Sequence, residues 1–216
     1  MTKGPDLVNG DSDPMDDNGH GTHVAGIAAA IANNYIGITG VSPTSKIYAV
    51  KVLNSEGWGT YFDIGLGIIA AANKSDVKII NLSLGGPNPS TLLEDAVNYA
   101  WGKGKVICVA AGNYNSTTPF YPAAYNDYCI AVAASTSDFG PDPRYDAYKY
   151  GSSNYGDWVD IAAPGEDIVS TVPPALAYWG QEYEWWSWTS MATSDFSWLT
   201  FLMALPAIPR LGQRCR

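Results

Sequence analysis

The sequence predicts an α/β domain: a mostly parallel sheet with helices on both faces. Three observations predict it. Short runs of near-continuous apolar character recur along the 216 residues, which is how strands buried on both faces read. Segments with helical spacing alternate with those runs. Gly (22) and Pro (14) are plentiful enough to supply the turns between them.

The elements follow in order. Residues 1–19 read as an acidic loop, with five acids and one lysine in the first 20 positions. Residues 21–32, GTHVAGIAAAIA, are small and apolar, as in a helix packed closely on its neighbours. Residues 46–53, KIYAVKVL, predict a strand, and Gly57, Gly59 and Thr60 a turn. The helix expected over 61–73 places Phe62, Leu66 and Ile69 on one face. A strand is expected at 77–83, stopped by Gly85-Gly86-Pro87. Ser90 can cap a helix carrying Leu93, Ala96, Val97, Ala100 and Trp101 at helical spacing, ended by Gly102 and Gly104. Strands are expected at 105–110, 129–134 and 157–162. After residue 175 the character changes: five of the eight Trp fall between 179 and 198, and LPAIPRLGQRCR shows no period.

Composition narrows the function classes. Hydrophobic residues are 46% and charged residues 15%, enough for a core and too apolar for wholesale disorder. The length suits one domain or at most two small ones, and a monomer is expected. No run approaches 18 apolar residues, so no membrane span is expected, and the first ten residues lack a basic-then-apolar export signal. A net charge of −9 argues against nucleic acid or an anionic membrane as partner. Cys108, Cys129 and Cys215 show neither metal spacing nor a disulfide framework. The first two sit in apolar runs and read as buried thiols, although a bridge between them stays open.

Several motifs fail on inspection. Gly57-x-Gly59 opens a helix, but Phe62 stands where a dinucleotide fingerprint needs its third glycine. No phosphate-binding lysine loop is present. His20 and His23 are three apart with no following Glu, so they do not read as a zinc-protease helix, and with two His in all a three-His metal site is excluded.

Three stretches survive together: Asn18-Gly19-His20-Gly21-Thr22-His23-Val24-Ala25-Gly26, Ala110-Ala111-Gly112-Asn113, and Thr189-Ser190-Met191-Ala192. Each lies at an expected helix start or strand end, where reactive groups are exposed. A nucleophilic serine needs a base and a donor for the developing oxyanion. His20, Ser190 and Asn113 supply these three chemistries.

With these stretches the chain resembles the subtilase family of subtilisin-like serine proteases. The likeness runs over roughly residues 5–193. It includes Asn33-Asn34-Tyr35-Ile36-Gly37-Ile38, Gly40-Val41-Ser42-Pro43, Asn81-Leu82-Ser83-Leu84-Gly85-Gly86, Tyr121-Pro122-Ala123 and Ala163-Pro164-Gly165. It implies a subtilisin-like fold and a serine endopeptidase acting on protein or peptide substrates. His20 would be the general base, Ser190 the nucleophile and Asn113 the oxyanion donor. Ser83, Leu84 and Gly85, with Ala110, Ala111 and Gly112, would line the cleft. His23 would be structural. No cofactor is implied for catalysis. A structural Ca²⁺ is implied at Asp6, Asn34 and the carbonyls of Ala32, Ile36 and Ile38, oxygen ligands that suit a hard cation. An extracellular location is implied by the likeness alone.

The chain also departs from the family pattern. Members carry Asp-Thr-Gly or Asp-Ser-Gly at a strand end before the Pro-Asp-Leu stretch, and its Asp orients the catalytic His. Here Pro5 is the fifth residue, so the expected fold lacks that strand and the Asp on it. Asp16 and Asp17 are not expected to replace it. Trp188 stands where the family has Gly before Thr-Ser-Met-Ala, and its ring is expected to crowd the substrate pocket. The likeness stops after Thr193, as a reading-frame change or a truncated gene would leave it. Residues 1–193 therefore read as a partial peptidase domain and 194–216 as a divergent tail. Losing a core strand is expected to leave the isolated chain marginal in stability. A catalytically inactive, peptide-binding remnant is the alternative reading. A third is an aromatic binding surface built from Tyr178, Trp179, Tyr183, Trp185, Trp186 and Trp188.

Overall fold

The computed structural model describes residues 1–136, 151–176 and 180–203, the last six of these as backbone only. The elements are β1 (Thr2–Asp6), α1 (His20–Ala29), β2 (Tyr48–Lys51), α2 (Tyr61–Ala72), β3 (Ile79–Leu82), α3 (Thr91–Gly102), β4 (Val106–Ala110), β5 (Ile130–Ser135), β6 (Ile161–Pro164), β7 (Ile168–Thr171), β8 (Tyr183–Trp186) and α4 (Thr189–Met203).

Strands β3-β4-β5-β6 form a parallel sheet in that order, and β1 pairs with β2 in a separate parallel ladder. Strands β7 and β8 make an antiparallel hairpin, Ile168 opposite Trp186 and Thr171 opposite Tyr183. Side chains alternate across a sheet, and here the alternation separates two layers. Ile80, Leu82, Ile107, Val109 and Ala131 point into one core with Ile64 and Ile68 of α2 and Leu93, Ala96 and Val97 of α3. Val132, Ala134 and Ala163 point the other way, onto Ala192 of α4. Helices therefore cover both faces, as the apolar strands require.

Local chemistry explains the helix ends. Ser90 caps α3 by accepting from the Leu93 N–H, and Thr60 caps α2 by accepting from the Asp63 N–H at 3.0 Å. Leu93, Ala96, Val97 and Ala100 of α3 are buried as their spacing predicts, while Trp101 faces solvent. On α2 the expected face is wrong. Phe62 and Leu66 are exposed, and Ile64, Ile68, Ala71 and Ala72 are buried instead. Small residues decide this: Gly65 lies against Leu92 of α3 and Gly67 against Val52 and Val50 of the β2 segment, where larger side chains do not fit.

Three further expectations change. The acidic loop begins with a strand, β1, whose Gly4 and Pro5 hide it from pattern reading. The strand expected at 157–162 starts later, at Ile161. The hairpin β7–β8 had no signal beyond the clustered aromatics. Cys108 and Cys129 are buried and not joined in a disulfide, and burial pushes the Cys129 thiol up. Cys215, Tyr178 and Trp179 lie outside the described residues. Among the described residues, no helix is long and apolar enough to cross a membrane.

Candidate active site

The site is built from α1 upward. Gly19 precedes the helix at φ 99°, a left-handed conformation that favours glycine. Asp16 caps the turn. Its Oδ1 accepts from the N–H groups of Asn18 and Gly19, and its Oδ2 from the Thr22 N–H and hydroxyl at 2.7 and 2.6 Å. Asp17 pairs with Lys51 at 2.6 Å. Both acids beside His20 are thus engaged elsewhere, in keeping with the expectation that neither orients it.

His20 is half-buried, and among the described residues its imidazole makes no hydrogen bond. Trp186 of β8 lies nearly parallel to it, ring centres 6.5 Å apart. His23 is fully buried, stacks on the same indole at 4.5 Å, and donates from Nε2 to the Glu184 carbonyl at 3.1 Å. Among the described residues its Nδ1 has no hydrogen-bond partner. Burial pulls both imidazoles below the ordinary histidine value. Asp16 partly opposes this at His20, as the Glu184 carbonyl does at His23.

At the other wall, Ser190 is the second residue of α4 and is 8% exposed. Its N–H belongs to the first helical turn, where donors have no partner within the helix. Its hydroxyl donates to the Ser83 carbonyl at 3.3 Å, and Ser83 Oγ returns a bond to the Ser190 carbonyl at 2.8 Å. Ser190 is therefore clamped to the end of β3 and shares no hydrogen bond with His20. In ligand-free sites such bonds are commonly long and tighten only with substrate.

Asn113 follows β4. Its Oδ1 accepts from the Thr189 N–H at 2.9 Å and the Thr189 hydroxyl at 3.0 Å. The same hydroxyl accepts from the Gly112 N–H at 3.2 Å. Two donors on Oδ1 fix which way the amide points, so Nδ2 is left as the free donor. Thr189 was not singled out as an orienting group by the sequence, nor was Asn154. Asn154 is buried, donates to the Ala111 carbonyl at 2.8 Å and accepts from Tyr114 and Ser116 N–H groups. It holds the loop that carries Asn113. Its only advance signal was an Asn between two Ser and a Tyr, too common to read.

The predicted cleft residues fall at two neighbouring strand ends. Leu84 and Gly85 leave β3 beyond Ser83, and Ala110, Ala111 and Gly112 leave β4. Gly85 is exposed and packs on Phe120 and Tyr121. The Trp188 ring is 45% exposed, two residues before the nucleophile.

Asp6 is buried, accepts from Val8 N–H, Asn9 N–H and Asn9 Nδ2, and lies 3.7 Å from the Lys51 ammonium. Asn34 Oδ1 accepts from the Ile36 N–H at 3.1 Å.

The lowered imidazoles have a measurable consequence. A group whose pKa falls on folding stabilises the fold fully above its unfolded pKa, about 6.5 for His, and that stability is lost as pH falls below it. Both imidazole C–H resonances are expected to titrate below pH ~6.5 in the folded chain, with the urea midpoint falling over the same window. Resonances that titrate at or above the free-histidine value would contradict the burial of both rings.

The chain is similar to known proteins over most of its length. The profile described as "Subtilase family" matches residues 3–205. The chain is 50% identical over 204 residues to "Thermophilic serine proteinase" of Bacillus sp. (strain AK1), covering 94% of this chain and 47% of that protein. It is 44% identical over 201 residues to "Thermitase" of Thermoactinomyces vulgaris, covering 93% and 66%. Among solved structures, "Sphericase" superimposes with a TM-score of 0.79 at 34% identity, over 93% of this chain and 68% of that one. A "cold adapted subtilisin-like serine proteinase" gives 0.78 at 34% identity, over 94% and 67%. The chain thus spans about half to two thirds of the length of these two sequence relatives.

Proposed function

Because this chain belongs to the subtilase family of serine proteases, we propose that its residues carry out serine endopeptidase chemistry on protein or peptide substrates. The observation that carries the reading is the amide of Asn113, locked by Thr189 so that Nδ2 is free beside the nucleophile's own helix turn. Ser190 Oγ leaves the Ser83 carbonyl and attacks the carbonyl carbon of the peptide bond. His20 takes its proton. The oxygen of the tetrahedral intermediate gains a negative charge and accepts from Asn113 Nδ2–H and the Ser190 N–H. Collapse breaks the C–N bond, His20 returns the proton to the leaving amine, and water repeats the sequence on the acyl-serine. Ser83 to Gly85 offer backbone to an extended substrate, and Ala110 to Gly112, where the N–H and C=O groups of Ala111 and Gly112 are already engaged, line the cleft.

A fluorophosphonate probe tests this. It is expected to label the 216-residue chain at Ser190, and Ser190→Ala to abolish the label. No labelling of a chain that still binds peptide would favour a non-catalytic, peptide-binding role. One observation supports that second reading: the Ser190 hydroxyl rests on the Ser83 carbonyl rather than on His20.

A further inference from the structure

A basic cavity lies at the far ends of the strands that lead to the candidate site. Strand β3 starts just after Lys78 and runs toward Ser83, and β4 starts just after Lys105 and runs toward Asn113. Between these starts and the ends of α2 and α3 is a cavity of about 380 Å³, whose polar lining is Asn73, Ser75, Lys78, Lys103 and Lys105. That volume suits a small molecule, for which sites run from ~300 to ~1,000 Å³. Gly104 also lines it, and a Cβ there would meet no atom within 4 Å, so the cavity is open on that side. The lining is rich in donors. Lys105 is 5% exposed, and its ammonium donates to the carbonyls of Lys74 and Val77, both at 2.6 Å. An ammonium has three N–H groups and no acceptor, so one donor remains. Lys78 donates to the Ser75 carbonyl at 2.9 Å, and Lys103 sits over the Tyr99 ring at 5.2 Å. Asn73 Oδ1 accepts from the Tyr99 hydroxyl at 2.7 Å, which leaves its Nδ2 to donate.

We propose that this cavity binds a small polyvalent oxyanion of the phosphate type, held by the ammoniums of Lys78, Lys103 and Lys105 and by Asn73 Nδ2. The negative ends of α2 and α3 favour a cation nearby, and Lys105 answers them by clasping two carbonyls. Lys78 and Lys103 add charge that this clasp does not need. Burial pulls the Lys105 ammonium below the ordinary lysine value, Lys78 and Lys103 add to the fall, and Asp76 opposes it. The chain has carboxylates to spare, with 21 acids against 12 bases. Yet the ion pairs of the described residues use Lys3 and Lys51, and none uses Lys78, Lys103 or Lys105. Three like charges around one cavity therefore await a counter-charge from outside. A ligand that only accepts hydrogen bonds and carries two or more negative charges matches them, through charge-assisted bonds. Lys105 is the fixed floor, and the exposed side chains of Lys78 and Lys103 can turn onto the ligand. None of these residues belongs to the candidate active site, so the proposal stands apart from the peptidase reading.

Calorimetric titration with inorganic pyrophosphate tests the site, beside melting curves of the same samples. Ionic strength is held constant with sodium chloride, so that general screening does not change along the titration. The 216-residue chain is expected to bind pyrophosphate, and its melting midpoint to rise with the ligand concentration, as for any ligand that binds the folded state alone. The double variant Lys78→Gln/Lys103→Gln changes two exposed side chains and keeps the Lys105 clasp. It is expected to bind at least tenfold more weakly, roughly the loss of one hydrogen bond to a charged group. Lys46→Gln changes an exposed lysine that does not line the cavity, and is expected to bind as the parent does. Absence of binding by the parent would overturn the proposal. Equal binding by parent and double variant would overturn it too, since an adventitious ion would then account for the signal. A loss in Lys46→Gln equal to that of the double variant would do the same, because net charge rather than this cavity would be responsible.

Discussion

Replacing Asn113 by alanine is expected to slow acylation of Ser190 by about 10²–10³, the loss typical of one oxyanion donor. The expectation rests on how the amide is held. Thr189 donates twice to Oδ1, so Nδ2 is the only amide group left to meet a substrate oxygen. An oxyanion exists only in the transition state, so the loss falls on turnover rather than on substrate affinity. Asn113 is half-buried at a loop edge, and removing its side chain leaves Thr189 able to keep its bond from Gly112. Stability should therefore change little. Measuring the acylation rate beside a melting curve separates the two effects. An acylation rate within about threefold of the parent would remove Asn113 from the mechanism; a rate loss matched by a large melting shift would make it a structural residue.

The sequence made the candidate site legible and much of its support illegible. His20, Asn113 and Ser190 could be picked out because each lies in a short, unusual string at an element boundary. The parallel sheet was legible because doubly covered strands are apolar along their whole length, as 106–110 and 130–135 are. Support comes from residues with no such mark. Asn154 reaches its partners at Ala111 and Tyr114 from about 40 positions away, and no local pattern encodes a contact at that separation. Thr189 could be read only as part of a motif, although its hydroxyl bridges Gly112 and Asn113. The face of α2 was misread because pattern reading weighs large apolar residues. There the packing is decided by Gly65 and Gly67, which admit the neighbouring helix and strand.

Replacing Gly26 by alanine is expected to unseat the wall that carries His20. Gly26 is buried in the second turn of α1, where the helix crosses β7. A Cβ at this position would overlap Ser170 Oγ and Thr171 Oγ1 and come within 3.1 Å of the Thr171 N–H nitrogen. These hydroxyls are not free to move aside. Ser170 donates to the His23 carbonyl at 2.7 Å and Thr171 to the Thr22 carbonyl at 3.1 Å. Moving them leaves buried polar groups without partners, so overpacking of about 1–3 kcal/mol carries an added hydrogen-bond loss. For a chain of this size the melting midpoint should fall by roughly 5–10 °C. The effect should also reach the chemistry. Helix α1 rests on β7 through these two bonds, and β8, paired with β7, sets Trp186 against both imidazoles. A shift of α1 from the hairpin separates His20 from that indole, so its imidazole resonance should move toward the free-histidine value in the fraction that stays folded. Unchanged melting and an unchanged His20 resonance would show that α1 has room to slide on β7, and the seat of the general base would then have to be sought in its packing against α4.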